Sequence, residues 1–446
     1  MENLKNSIKN HEKIISVYGL GNVGGSIAAV WLRTGGKVIG VDISKILLDE
    51  ILKGESHKKE PLVSEIFSKS LKNNHFTITT DGVNASKNSD IKIIVVPVGL
   101  INEKADLKAV KIVSKNIAKG LKKGDTVILS PSVPPGTTEN IVLPILEKNS
   151  NLKGEKDFNL IYNPERIFEG RAICDIEENY PAIVSGLGKK SLNFAEHLLN
   201  IVSKKGVISM SSIKSAEAEK LFEGVYRDVN IALANELSNY CEKAGINYWE
   251  VIKGSNSQPF CNLHYPGTGV GGLCIPVYPK IILEDATKYG ETLKIVKNSR
   301  KINDSMPKKC VEESIRLLKK NKKTPKGKKI AILGLGFRGE VTDKRLSPTY
   351  SVVNEFLKFG CKVSIHDPYI SKDEQIPSKI LLSKDLETVV KNADLIFIST
   401  DHKRYAKLSK SSFNNSKKPL LVFDGRNILN RTSFDKSNIL TIGNYT

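Results

Sequence analysis

The sequence predicts an α/β fold: two Rossmann-like, doubly wound domains joined by a helical central domain. Three observations carry that prediction. Strand and helix patterns alternate from Ile14 to about residue 209. A glycine-rich strand–turn–helix signature opens the chain at Gly19, and its theme returns at Gly334. Between the two, residues 211–245 read as helix with no strand signal, and a second helical stretch runs from about Lys280 to Lys322. The expected domains are therefore 1–209, 210–322 and 323–446.

The first segment, "KIISVYGLGNVGGSIAAVWLRTGGKVIGVD", gives a buried strand over Ile14 to Tyr18, a turn with Gly19, Gly21 and Gly24, and a helix from about Val23 to Thr34. "KVIGVD" is a second strand ending in Asp42. A lone GxGxxG says little. Here it follows a strand, opens a helix and has an acidic residue about 23 positions on, the pattern of a dinucleotide site. The glycines permit a tight turn and close approach of a pyrophosphate to the helix N-terminus. Asp42 would accept hydrogen bonds from both hydroxyls of an adenosine ribose and repel a 2′-phosphate, which favours NAD over NADP.

"IKIIVVPV", "DTVILS", "FNLIY" and "PAIVSG" read as further buried strands of a parallel sheet with helices on both faces. From Leu221 to Cys241 apolar residues recur every four positions, so one long amphipathic helix is expected. Ser211 or Ser212 would cap it and Gly245 would end it. A second helical stretch runs from about Lys280 to Lys322. After the basic linker "KKTPKGKK", "KIAILGLGFRGE" repeats the opening theme with Gly334, Gly336 and Gly339, and "CKVSIHDP" ends in Asp367. Two phosphate-binding folds suggest two nucleotide-bearing ligands. An alternative is that the second domain is a duplicated scaffold with no ligand.

The totals narrow the partners. The chain has 446 residues and a net charge of +20, which asks for an acidic partner. Lysines are spread widely and aromatics are only 7 %, with no basic–aromatic interleaving, so a phosphorylated small substrate is favoured over nucleic acid. No apolar run is long enough to span a bilayer, and "MENLKNSIKN" lacks an apolar core, so no membrane insertion and a cytoplasmic location are expected. Six scattered cysteines form no CxxC pair, so neither a disulfide framework nor a metal site is expected. Five of them fit inert buried thiols. The sixth, Cys274, ends "GTGVGGLC", a stretch with almost no side chains. A bare loop around one reactive atom suggests a site, because glycine lets a backbone approach a ligand closely.

The segments "GLGNVGGSIA", "SVPPGTTE", "NPERIFEGRA", "KLFEGVYRDVNIALANEL", "PGTGVGGLCIP", "GLGFRGEVTDKRLSP" and "DGRN" together resemble the UDP-glucose/GDP-mannose dehydrogenase family, from Ile14 to about Asn430. Within it, "YRDVNIALANEL" and "PGTGVGG" look more like the branch that oxidises UDP-N-acetyl-D-mannosamine or similar N-acetylated sugars. The resemblance implies an NAD-dependent nucleotide-sugar 6-dehydrogenase that turns a C6 alcohol into a carboxylate, working as a homodimer. It places NAD against Gly19, Gly21, Asn22, Val23, Gly24, Asp42, Pro97 and Thr137. It places the sugar nucleotide against Arg227, Asn230, His264, Gly271, Gly272 and Arg345. The four-electron oxidation consumes two NAD⁺. An aldehyde gives up no second hydride directly, but its adduct with a thiolate does, leaving a thioester for water to cleave. The resemblance makes Cys274 that nucleophile. A cysteine thiol ordinarily ionises near 8.5, so nearby positive charge would help.

The remaining roles follow in the same way. Lys220 lies three residues after Glu217, a spacing that by itself reads as a solvated Glu–Lys pair. The resemblance instead has Lys220 stabilise the oxyanion of the tetrahedral adduct. Glu165 would orient substrate and Glu169 would serve as acid or base. Ser132 stands where the family usually has threonine and would hold the hydrolytic water. Three positions depart from the family pattern: Gly224 replaces asparagine, Leu273 histidine and Tyr278 aspartate. By the resemblance, the first removes an oxyanion donor and the third a general base. The alternative to an active enzyme is thus a catalytically impaired paralogue that binds NAD and nucleotide sugar as a regulatory or binding protein. A third reading, a two-electron dehydrogenase, would not need the thiol.

Overall fold

A computed structural model describes residues 2–57, 60 and 62–445. The chain forms two compact units, 1–223 and 224–446. The division falls inside the long helix Ile213–Ala244.

The first unit is built on an eight-stranded sheet. Its strands are β1 (Ile15–Tyr18), β2 (Val38–Val41), β3 (Phe76–Thr79), β4 (Ile91–Ile94), β7 (Thr126–Leu129), β8 (Asn159–Tyr162), β9 (Ala182–Gly186) and β10 (Val207–Ser209). A two-stranded hairpin, β5 (Leu100–Ile101) and β6 (Lys104–Ala105), stands apart from it. The sheet order is β10-β9-β8-β7-β4-β1-β2-β3. The central strands are buried on both faces, as helices on both sides require, and their polar members are hydrogen-bonded or paired, Lys92 with Asp125. Ile27, Val30, Trp31 and Leu32, on the helix Asn22–Arg33, pack against β1 and β4 in one core cluster. The sheet is not all parallel, as the sequence suggested: β9 runs antiparallel to β8, pairing Ile161 with Gly186. Residues 163–181 form no full crossover helix between these strands, only the short turns Ala172–Cys174 and Asp175–Asn179, so the chain turns back beside β8.

The second unit has an all-parallel six-stranded sheet, ordered β13-β12-β11-β14-β15-β16. Its strands are β11 (Lys329–Leu333), β12 (Lys362–His366), β13 (Leu381–Ser383), β14 (Leu395–Ile398), β15 (Leu421–Asp424) and β16 (Ile439–Thr441). Met306, Cys310, Val311 and Leu318 of the helix Lys294–Lys320 pack on it with Val352 and Phe356 of the helix Pro348–Lys358. The helical stretch expected over 280–322 is two helices, Tyr278–Thr287 and Lys294–Lys320. Gly290, at φ +71°, lies in the break. Ser212 Oγ accepts the Ser215 N–H at the start of the long helix, and Gly245, at φ +70°, follows its end.

Two differences from expectation matter for chemistry. Of the five cysteines expected to be inert and buried, Cys174 is exposed, because it lies in a surface turn after β8, and Cys261 is half-buried. The second GxGxxG opens no helix directly: residues 334–347 form a loop, and the next helix starts at Pro348 behind its cap Ser347.

Candidate active site

In the first unit the three glycines of the opening turn have three distinct surroundings. Gly19 sits at φ +96°, and a Cβ there would stand 2.9 Å from the Val95 carbonyl oxygen. A Cβ on Gly24 would fall 1.8 Å from the Gly19 oxygen, so this position is glycine for packing. Gly21 has nothing within 4 Å of its would-be Cβ. That open space lies at the N-terminus of the helix Asn22–Arg33, where backbone N–H groups and the helix dipole favour a phosphate. Asp42 directly follows β2. Its oxygens accept Leu20 N–H (2.8 Å) and Ser44 N–H (2.9 Å), and a carboxylate retains lone pairs beyond these two. These residues fit a dinucleotide. Val23 lies in the first turn of the helix, and Pro97 is exposed just beyond β4. Thr137 is buried, and its hydroxyl donates to the Pro134 carbonyl (2.6 Å), so it shapes the turn.

The loop after β8 joins the glycine turn. Asn22 Nδ2 donates to Glu169 Oε1 at 3.2 Å, which brings Glu169 to the head of the helix. Glu165, four residues earlier, accepts a hydrogen bond from Ile167 N–H. Burial pushes its carboxyl pKa up, while Lys220 is the strongest attraction opposing the rise. Lys220 is 9 % exposed and lies 3.6 Å from Glu223. Ser132 is half-buried between β7 and the turn that holds Thr137.

Glu217 is not singled out by the sequence motifs, and the solvated pair with Lys220 that its spacing predicts is not what forms. Glu217 is fully buried and accepts hydrogen bonds from Gly136 N–H, Thr138 N–H (2.8 Å) and Thr138 Oγ1 (2.6 Å). It therefore holds the "SVPPGTT" loop onto the helix. One signal could have found it: Glu217 shares a helix face with Ile213 and Leu221, both buried, four residues to either side.

Burial raises the Glu217 pKa from an ordinary 4.5 to about 7, against the hydrogen bonds from Thr138 and Gly136. A raised folded pKa means the stabilisation is complete below about 4.5 and is lost as pH climbs through about 7. The thermal midpoint of the first unit should therefore decline over that window. Glu217→Gln should flatten the decline, at a cost of about 1–3 kcal/mol for leaving Gly136 N–H without an acceptor. Thermal melts of both proteins at pH 5 and 8 check this. Parallel pH slopes would refute it.

In the second unit the glycine run is pinned by protein. A Cβ on Gly271 would stand 2.6 Å from Phe337 Cβ and 2.7 Å from the Leu346 oxygen. One on Gly269, at φ +134°, would stand 2.8 Å from Pro348 Cβ. Gly272 donates its N–H to the Arg345 carbonyl at 2.9 Å. Gly271 and Gly272 thus pack closely on the loop 334–347, and Gly269 on Pro348 and Pro307. Cys274 remains exposed at the end of the run. The Arg345 guanidinium forms a fork with Asp343, at 2.9 and 3.1 Å from Nε, and stays largely exposed. Burial lowers the His264 pKa, and the charge of Arg227 lowers it further. Asn230 Nδ2 donates along its own helix to the Tyr226 carbonyl (2.8 Å).

Asp367 occupies the place in the second sheet that Asp42 has in the first, but its surroundings differ. It is fully buried and accepts N–H groups from Leu335 (2.8 Å), Gly336 (3.1 Å), Tyr369 and Ile370. Burial alone would raise its pKa; the hydrogen bonds from His402 and these backbone groups hold it at about 2. It braces the loop and is closed to a ribose.

Comparison with known proteins agrees with this construction. Residues 13–202 match the NAD binding domain of the UDP-glucose/GDP-mannose dehydrogenase family, 214–305 its central domain and 331–431 its UDP binding domain. The chain is 32 % identical to the UDP-N-acetyl-D-mannosamine dehydrogenase of Pyrococcus horikoshii over 93 % of its length and 96 % of the relative's. A solved structure of the UDP-D-ManNAc dehydrogenase from that organism superposes with a TM-score of 0.88 at 30 % identity, covering 97 % of this chain and 99 % of the other. The NDP-N-acetyl-D-galactosaminuronic acid dehydrogenase of Methanosarcina mazei Go1 superposes at 0.83 with 31 % identity, covering 99 % and 98 %. No helix among the described residues is long and apolar enough to cross a membrane. With a glycine turn built for a dinucleotide and its three domains matched in order, the chain belongs to the UDP-glucose/GDP-mannose dehydrogenase family, a family of NAD-dependent oxidoreductases acting on nucleotide sugars.

Proposed function

We propose that the protein oxidises the C6 alcohol of a UDP-linked N-acetylated hexosamine, UDP-N-acetyl-D-mannosamine first among them, to the uronate through a thioester on Cys274. The observation that carries the reading is the exposed Cys274 thiol, at the end of a loop tied down by Gly272 and Arg345. The names of the relatives over nearly the whole chain supply the sugar. In this reading residues 1–209 bind the cofactor, 210–322 form the helical connector and 323–446 bind the nucleotide.

Bound NAD supplies the hydride acceptor for both oxidations. Gly21, Asn22 and the helix N-terminus hold its pyrophosphate, and Asp42 its adenosine ribose. Cys274 Sγ adds to the aldehyde carbon, placing negative charge on the former carbonyl oxygen. The Lys220 ammonium stabilises that charge. Loss of hydride from the adduct leaves the thioester. Glu165, its pKa raised by burial, is suited to orient the alcohol and to take up or return a proton. Water held by Ser132 then attacks the thioester, releasing the carboxylate and restoring the thiol. Arg345 supplies positive charge to the nucleotide sugar, and His264 with Arg227 contacts the acetamido group.

A homodimer is part of the proposal. Tyr226, Leu233 and Tyr240 repeat at seven-residue spacing on the long helix and are 55 %, 41 % and 62 % exposed, an apolar stripe suited to a two-fold contact. All six cysteines are free, which suits the reducing cytoplasm.

The test measures NADH formed per sugar with a panel of UDP-sugars. Two NADH per sugar with a carboxylate product is expected. One per sugar would replace the proposal with a two-electron dehydrogenase. Binding without NADH would favour the impaired paralogue.

A further inference from the structure

Gly224 and Tyr278 are two of the positions at which the chain departs from the family pattern it resembles. The structure puts them in contact. Tyr278 begins the helix Tyr278–Thr287, one turn after Cys274, and is 8 % exposed. Its ring lies on the long helix at Gly224. A Cβ at position 224 would stand 2.4 Å from Tyr278 Cδ2 and 3.1 Å from both Cβ and Cγ. Real Cβ atoms do not approach a ring carbon that closely, and the ring root cannot swing away without moving the backbone that bears it. Glycine at 224 and an aromatic ring at 278 are therefore one choice made at two positions.

The contact reaches Cys274 through the backbone. The Cys274 carbonyl accepts both Val277 N–H (3.1 Å) and Tyr278 N–H (2.9 Å). Upstream, Gly272 is bonded to the Arg345 carbonyl. Cys274 thus hangs between two anchors, two residues after one and four before the other. We propose that the Gly224–Tyr278 pair is a positioning unit: the ring, seated in the gap left by the missing side chain, fixes the turn that presents the Cys274 thiol. On this account Gly224 and Tyr278 are one packed unit, not two separate losses. The functional part rests on Cys274 as the nucleophile; the packing part does not.

The sign of one substitution tests it. An alanine in place of a mid-helix glycine normally stabilises. Here Gly224→Ala should lower the thermal midpoint, because the new methyl group meets the ring. In a Tyr278→Ala background the same change should raise it. Three further readouts separate positioning from bulk stability. Peptide-resolved alkylation by iodoacetamide should change at Cys274 by about threefold or more in Gly224→Ala, with exposed Cys174 as the unchanged control. The kcat for acid formation should fall by about tenfold or more with KM little altered. Tyr278→Phe, which keeps the ring, should lose less kcat than Tyr278→Ala, and equal losses would overturn the role of the ring. A higher midpoint for Gly224→Ala in the wild-type background would overturn the pairing, as would unchanged alkylation at Cys274. Unchanged kcat beside the expected midpoints and alkylation would overturn the functional part alone. Midpoint and alkylation need no turnover, so they stand or fall independently of the thioester reading.

Discussion

Cys274→Ser is expected to abolish carboxylate formation while leaving NAD and nucleotide-sugar binding intact. The first oxidation requires no covalent bond to the enzyme, so up to one NADH per sugar can still form. The second requires an adduct that can give up hydride. A serine hydroxyl is far less ionised near neutrality and a weaker nucleophile than a thiolate. Acid production should fall on the order of 10³-fold or more. The released aldehyde should be trapped by hydroxylamine during a single turnover. Because Cys274 is exposed and ends a loop held by its own backbone, the substitution should shift the thermal midpoint by no more than about 2 °C. Acid formation at the wild-type rate would remove Cys274 from the mechanism and leave the fold assignment standing.

The sequence discloses those features whose cause is local. β1, the glycine turn and the helix Asn22–Arg33 can be read because the turn geometry, the helix start and Asp42 all lie within one short stretch. The long helix, its Ser212 cap and its glycine stop are equally local. The second glycine motif shows where this fails. Gly334, Gly336 and Gly339 repeat the letters, but a long loop replaces the helix and Asp367 is consumed by backbone N–H groups. Nothing in "GLGFRG" itself says which carboxylate stays open to a ligand. That depends on how the folded loop aims the N–H groups of Leu335, Gly336, Tyr369 and Ile370, and on His402, a residue far along the chain.

The same limit explains the glycine run and the paired departures. Bare backbone near a thiol is consistent with a ligand or with a protein wall, and only the fold places Phe337, Leu346 and Pro348 beside Gly269 and Gly271. Positions 224 and 278 are far apart in the chain, so each looks like a separate loss until the Tyr278 ring is seen against the Gly224 backbone. Glu217 differs, since its neighbours Ile213 and Leu221 already marked its face as buried. Helical phase, taken before spacing to Lys220, would have disclosed it.

Arg300→Met should cost about 3–5 kcal/mol, because it strands a buried carboxylate. Asp228 is fully buried, pairs with Arg300 and accepts Asn303 Nδ2 at 2.8 Å. Asn303 Oδ1 in turn accepts Asn235 Nδ2 at 2.9 Å, and Asn235 Oδ1 accepts Gly267 N–H at 3.0 Å. The ion pair therefore anchors the first glycine of the run that leads to Cys274. Burial already lifts the Asp228 pKa to about 6, against the attraction of Arg300. Without the guanidinium it should rise further, so the variant regains stability as pH falls and the carboxyl becomes neutral. Wild-type protein should show a shallower dependence of the same sign. The thermal midpoint of Arg300→Met should drop on the order of 10 °C at pH 8, and less at pH 5. Adding Asp228→Leu should recover most of the loss at pH 8, since removing both charges leaves neither unpaired. Asn303 would keep its bond to the residue 228 carbonyl in that double variant, so the path to Gly267 survives. A midpoint for Arg300→Met within about 2 °C of wild type at both pH values would show that solvent, not Arg300, balances the Asp228 charge.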